Sequence, residues 1–226
     1  MSTLYVVLFA GCMNAPNEHP RYYNDLQLFG DIISTLPGVT SGSMTVMHSD
    51  GSPQFQFKGT GAAAVLPATS ACLLNAIGTL AANVSASDRF VFVASNHGGQ
   101  NPAGSYLWCW NEETVAASDF ATACNAIGSK QQAYIFGQCH SGGFITPLAA
   151  PNRVILTGCA ADEVTYSTSD DSYDEFLLRV GQSLQAGTRR LGDVFAAAKA
   201  ADTQKETPQL SDVGAIGSQD SVLYGP

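Results

Sequence analysis

An α/β/α sandwich around a mostly parallel, six-stranded sheet is the fold this sequence predicts, and three observations predict it. Several strand-length runs are apolar throughout, as expected of strands covered on both faces. They alternate with segments whose apolar residues recur at helical spacing, the pattern of parallel strands joined by crossover helices. The 226 residues, 45% hydrophobic and 13% charged, suffice for one full core, so residues 1–226 are read as a single domain.

Each element can be justified in order. Tyr5 to Ala10 is a short apolar run, read as a buried strand and not as a secretion signal because it lacks a positive leader and is brief. In NDLQLFGDIISTL, Leu26, Phe29, Ile32, Ile33 and Leu36 share one helical face, and Pro37-Gly38 ends it. Met44 to Met47 is a second strand, and PATSACLLNAIGTLAANV predicts a helix beginning near Pro67. Asp88 to Ala94 is the third strand, and SDFATACNAIG a helix with a Ser/Asp start and a Gly stop. Ala133 to Phe136 and Arg153 to Thr157 are the fourth and fifth strands, followed by helices over Tyr173 to Leu184 and Leu191 to Ala201. Thr203 to Gly217 reads as a surface segment returning to a sixth short strand near Ser221 to Tyr224. Trp108 and Trp110 in SYLWCW alternate as a strand does and suggest a hairpin packed over a cleft.

Composition excludes several roles. A net charge of −9 without a Lys/Arg cluster offers no phosphate-binding face, so neither nucleic acid nor a membrane is an expected partner. The six cysteines, Cys12, Cys72, Cys109, Cys124, Cys139 and Cys159, are scattered through a chain too large to need staples, which predicts reduced thiols and a cytoplasmic location. No CxxC pair occurs, and His19, His48, His97 and His140 show no zinc-type spacing with the cysteines, so no metal and no cofactor are expected. A monomer or weak dimer is the expected state.

Two strands end in reactive side chains followed by paired glycines. FVFVASNHGGQ runs from Phe90 into Asn96-His97-Gly98-Gly99, and AYIFGQCHSGGF runs from Ala133 into Cys139-His140-Ser141-Gly142-Gly143. Ligands of parallel sheets sit beyond the carboxyl ends of the strands, so neighbouring third and fourth strands would aim His97 and Cys139 at one cleft. A thiolate is a strong nucleophile, an imidazole can take its proton and protonate a leaving amine, and glycine-flanked backbone N–H groups can form an oxyanion hole. Taken singly, a cysteine after a buried strand is more often a core thiol and a histidine before Gly-Gly the start of a turn; their joint placement carries the argument.

With those residues, FVFVASNHGGQ resembles the strand and His-Gly step of the caspase, metacaspase and legumain superfamily of cysteine peptidases. YIFGQCHSGGF resembles its nucleophile strand, and the order of His before Cys agrees. LTGCAADEVTYS, Leu156 to Ser167, is similar to the strand and loop that line the S1 pocket there. The resemblance implies a caspase-like fold and hydrolysis of peptide bonds in a protein or peptide substrate. It makes His97 the general acid/base, Cys139 the nucleophile, and the backbone N–H groups of Gly98 and Cys139 the oxyanion donors. Arg21, in HPRYYNDL, is similar to the arginine that helps hold the P1 side chain, and Asp162, Glu163 and Ser167 are further S1 candidates.

One departure bears on specificity: two residues before Cys139 the superfamily carries Gln, Glu or Asp, and here Gly137 stands. Arg21 favours Asn or Asp at P1, whereas Asp162 and Glu163 favour Lys or Arg, as in metacaspases; a missing acidic partner at Gly137 tips the expectation to Asn or Asp. His140 follows the nucleophile and is read as a structural or surface group, His19 and His48 as loop residues, and the acidic stretch Ser167 to Glu175 as a solvated loop without calcium-loop spacing. Two alternatives remain in view. GQCHS approximates an α/β-hydrolase nucleophile elbow, but no histidine other than the adjacent His140 follows Cys139, as that fold's order requires. A catalytically inactive, caspase-like interaction domain is opposed by the retained His97 and Cys139.

Overall fold

The computed structural model describes residues 2–225. In chain order the elements are β1 (Leu4–Ala10), α1 (Pro20–Ile33), β2 (Met44–His48), β3 (Phe55–Phe57), β4 (Gly61–Ala63), β5 (Val65–Leu66), α2 (Ser70–Asn83) and β6 (Arg89–Ala94). There follow β7 (Gly98–Asn101), β8 (Gly104–Trp108), β9 (Thr114–Ala116), α3 (Ala117–Asn125), β10 (Gln131–Phe136), α4 (Ile145–Leu148) and β11 (Arg153–Thr157). The chain ends with α5 (Glu175–Gln185), α6 (Leu191–Ala201), β12 (Gln209–Ser211) and α7 (Ser221–Tyr224).

The central sheet has the strand order β12-β11-β10-β6-β1-β2-β5, parallel throughout except for β12, which runs antiparallel to β11. It therefore has seven strands, one more than the sequence predicts. Val65–Leu66 is too short to show a period, and Gln209–Ser211 is a polar edge strand lying inside the segment read as surface coil. Ser221–Tyr224, expected to be the last strand, is a helical turn that buries Val222 and Leu223. A four-residue segment has no period that separates strand from helix. Helix starts also moved: α1 begins at Pro20, with proline at the position where its missing N–H costs nothing, and α2 begins at Ser70 because Thr69 Oγ1 accepts from Cys72 N at 3.2 Å.

Alternation along each strand builds two apolar layers. Leu8, Val93 and Ile135 face α1, α5 and α6, while Phe9, Phe92 and Phe136 face α2 and α3. Phe136 lies 4.9 Å from Phe144 and 5.6 Å from Phe92, centroid to centroid, so aromatic packing ties β10 to the turn that follows it. Each such fully buried side chain contributes about 1.5–3 kcal/mol. The sheet's order reverses between β1 and β6, so the loops leaving those strands diverge and open a crevice at the carboxyl edge.

Candidate active site

β6 and β10 are neighbours, and their register pairs Ala94 with Phe136. His97 and Cys139 each stand three residues beyond that pair, at equivalent places on adjacent strand ends, where strand spacing is about 4.8 Å. A Cβ added to Gly98 would collide with the Cys139 carbonyl oxygen, so the two backbones touch, and glycine is what permits it. The β7–β8 hairpin lies over the turn that follows Cys139: Gly143 packs directly on Ser105. This is the hairpin anticipated from SYLWCW, although Trp110 falls in a 3-10 turn beyond it.

The His97 ring is oriented from the loop after β1. Its Nε2 lies 3.1 Å from the Asn17 carbonyl oxygen, which can only accept, so Nε2 carries the proton and Nδ1 the lone pair. Tyr22 meets the ring edge-on at 5.2 Å and His19 at 5.4 Å. Burial holds His97 below the ordinary imidazole range; the Asn17 bond opposes this, and the His19 and Arg21 charges add to it. Two residues before His97, Ser95 Oγ donates to the buried Asp25 carboxyl at 2.6 Å, and Asp25 also accepts from Asp174 N at 3.2 Å. Burial, together with the charge of Asp174, pushes Asp25 well above the usual carboxylate range.

Cys139 sits half-buried at the start of a sharp turn. His140 holds the left-handed conformation, φ 60°, with its Nδ1 2.9 Å from the Ala161 carbonyl and its N–H donating to the Glu163 carbonyl. These two bonds tie the turn to the loop after β11. Cys139 Sγ lies 3.8 Å from Thr165 Oγ1, whose hydroxyl donates to the Gly137 carbonyl at 2.9 Å. The Cys139 N–H has no hydrogen-bond partner among the described residues. Trp108 N donates to the His97 carbonyl, which makes His97 and Trp108 a hydrogen-bonded pair; the next pair, Gly98 and Leu107, is then non-bonded, and the Gly98 N–H turns away from β8. Neither of these two N–H groups is engaged by another described residue in the contacts above.

The Peptidase C13 family matches residues 63–213, more than half of the chain and a span that contains both His97 and Cys139. The chain belongs to the Peptidase C13 family. This is a legumain/caspase-like family of cysteine peptidases. A solved structure of a Geobacter sulfurreducens protein, a structural-genomics target, superposes with a TM-score of 0.66 over 92% of each chain at 13% identity, which shows a shared caspase-like fold. No curated protein matches.

Around the cysteine of this Peptidase C13 chain, the residues expected in S1 fall into two groups. Arg21, in the first turn of α1, has Nη1 2.5 Å from Asp171 Oδ1 and Nη2 3.2 Å from the Tyr22 hydroxyl, and its charge acts on His97. Ser167 pairs with Asp174 in a β-bridge that closes the acidic loop, and its hydroxyl and Arg21 together outweigh burial to hold Asp171 below the usual carboxylate range. Glu163 is spoken for: Oε1 accepts from Thr207 Oγ1 at 2.8 Å, and Oε2 from Thr207 N and Ala160 N at 2.9 and 3.2 Å. Asp162 is exposed.

The space that a longer side chain would occupy at Gly137 is filled. A Cβ there would lie 2.5 Å from Leu177 Cδ1 and 3.0 Å from Asp174 Oδ1, so α5 fills the space from a distant part of the chain. Asp174 itself caps α5 by accepting from Leu177 N at 2.8 Å, and burial pushes it up to about 8. His48 is likewise no loop residue: it ends β2 and is 1% exposed. Asn17, Tyr22, Thr165 and Asp174 escaped sequence reasoning. Asn17 acts through its carbonyl, which leaves no mark on sequence; Tyr22 carries a weak signal in its place beside Arg21. Among the described residues, no helix is long and apolar enough to cross a membrane.

Proposed function

We propose that the chain is a cysteine endopeptidase in which Cys139 and His97 form a catalytic dyad. The observation that carries this is the placement of both residues three positions past a paired rung of adjacent parallel strands, with the Gly98 backbone against Cys139. In the proposed cycle, His97 Nδ1 takes the thiol proton and the sulfur attacks the scissile carbonyl carbon. The Gly98 and Cys139 N–H groups hold the oxyanion. Collapse breaks the C–N bond, and the leaving amine takes the proton from His97. Water then adds to the thioester, giving its proton to Nδ1, and release of the acid restores the thiol. Asn17 keeps the ring in the tautomer that this sequence requires.

At P1 the chain is proposed to prefer Asn or Asp. Arg21 supplies the fixed positive charge; Asp171 and the Tyr22 hydroxyl take one donor from each of its terminal nitrogens, and the planar donors that remain suit an amide or carboxylate oxygen. The alternative, Lys or Arg, needs acceptors, yet Glu163 spends both oxygens on Thr207 and Ala160, and Asp174 is buried in the cap of α5. The acid left over, Asp162, is solvent-exposed. Losing one charge-assisted bond to a P1 cation costs about 1.5–3 kcal/mol.

The test is a matched set of peptides differing only at P1, assayed with wild type, Cys139→Ala, His97→Ala and Arg21→Ala. Turnover is expected to vanish in Cys139→Ala, to fall nearly as far in His97→Ala, and to lose its Asn/Asp preference in Arg21→Ala. Wild-type rates in Cys139→Ala would falsify the dyad. Faster cleavage after Lys or Arg would overturn the P1 assignment alone.

A further inference from the structure

On the β2 side of the crevice, the loop after β1 carries a second set of reactive groups. The β1–β2 register pairs Ala10 with His48, and Cys12 stands two residues past that pair. Cys12 Sγ lies 3.9 Å from His48 Nε2, and Glu18 Oε1 lies 3.6 Å from His48 Nδ1. One ligand atom from each of the three residues falls within 4.8 Å of the other two. Tetrahedral zinc, with bonds of about 2.3 Å to sulfur and about 2.0 Å to nitrogen, holds those two ligands about 3.6 Å apart, so the side chains need little movement.

Further features fit a metal better than an inert core. Cys12, Met13 and Ser49 all hold left-handed φ, 58°, 63° and 41°, a conformation that non-glycine residues adopt at an energetic cost and that clusters at functional sites. Ser49 Oγ and Glu18 Oε1 both approach His48 Nδ1, at 3.0 and 3.6 Å; the Ser49 contact is the kind of outer bond that fixes the tautomer of a ligating imidazole and leaves Nε2 toward the sulfur, and the Glu18 carboxylate reaches an ion there by swinging from Nδ1 toward Nε2. Tyr23 and Phe55 pack against the His48 ring and dry one side of it. A thiolate and a carboxylate together balance the charge of a divalent cation, which a buried place requires. Glu18, exposed where Cys12 and His48 are buried, provides the entry path.

We infer that Cys12, His48 and Glu18 form a zinc site with one open coordination position. Asn17, whose carbonyl orients His97, is the neighbour of Glu18, so occupation steadies that loop; this consequence, unlike the site itself, rests on the dyad reading. Cysteine and histidine 36 residues apart escape any spacing rule, and the parallel β1–β2 pairing brings them together.

The test uses Cys139→Ala protein stripped with a chelator, so that the proposed nucleophile cannot take the metal. Cobalt(II) is expected to bind at one ion per chain with a thiolate charge-transfer band and the strong visible bands of tetrahedral coordination, and zinc to displace it. Adding Cys12→Ser should abolish the charge-transfer band. Glu18→Gln, a change at an exposed position that leaves the core intact, should weaken binding at least tenfold. Zinc should also slow amide exchange at Asn17 and Glu18. Absence of the thiolate band, its survival in Cys12→Ser, or unchanged affinity in Glu18→Gln would overturn the site. Binding without slower exchange would overturn the link to His97. Because the background lacks Cys139, a failure of the peptidase reading shows itself separately, in retained activity of the Cys139→Ala enzyme.

Discussion

At the scale of single residues, the six thiols separate by burial. Cys12, Cys109, Cys124 and Cys159 are fully buried, and burial pushes the Cys109 and Cys124 thiols up to about 12 and the Cys159 thiol up to about 11. Cys72 and Cys139 are partly exposed, and Cys139 alone of these two faces a strand end bearing a histidine. Brief iodoacetamide treatment near neutral pH, read by mass spectrometry, should modify Cys139 first, Cys72 next and the buried four last. Faster modification of Cys159 than of Cys139 would sink the assignment. The same pairing predicts a pH profile. Because burial lowers His97, its neutral form persists below the ordinary imidazole value of about 6.5, so the acid limb of kcat/KM should fall below that pH. An acid limb above that value would mean that another group controls the rate.

At the scale of elements, the site depends on two turns lying in contact. Gly98 starts β7 against the Cys139 carbonyl, and Gly142 and Gly143 pack on Ala160, Ala161 and Ser105. A methyl group at Gly98 meets backbone, which cannot swing aside as a flexible side chain can. Gly98→Ala should therefore cut kcat by at least tenfold while far-ultraviolet circular dichroism stays unchanged, since the hairpin shifts and the sheet does not. Wild-type kcat in this variant would show that the contact is dispensable. The chain's regular elements were legible for the same reason that these contacts were not. Apolar runs such as Phe90–Ala94 and Ala133–Phe136 report burial on both faces, whereas a glycine's neighbours are set by segments far away in sequence.

At the scale of the whole molecule, charge is distributed unevenly along the sheet. Arg153, buried at the amino edge, spends its donors on Gln132, Asn125 and the carbonyls of Leu148 and Cys124, so it is a satisfied structural cation. At the opposite edge, Asp25, Asp174 and Glu206 are buried acids, and burial pushes Glu206 up to about 10, with Asp174 and Asp202 adding to the rise. A carboxyl raised in the folded state binds a proton that the unfolded chain gives up. Its contribution to stability is therefore complete below the unfolded value of about 4.5 and is lost as pH rises toward the folded value. Stability should accordingly decline between roughly pH 5 and 10. Glu206→Gln, which keeps an acceptor for the Tyr166 N–H, should raise Tm at pH 8 and change it little at pH 5. An equal shift at both pH values would exclude this linkage.

By itself the sequence determined the layered α/β architecture, the identity of the strand bearing each reactive group, and the pairing of His97 with Cys139 as one candidate site. These follow from local patterns: period, breakers, and two strand ends marked by a reactive side chain and glycines. Only the tertiary structure decided what surrounds that pair. The Asn17 carbonyl on His97, Leu177 and Asp174 in the space beside Gly137, the engagement of Glu163 by Thr207, and the meeting of Cys12 with His48 all join residues remote in sequence. Strand register and helix docking create such contacts. They depend on the fit of whole layers, and no window of sequence contains that fit.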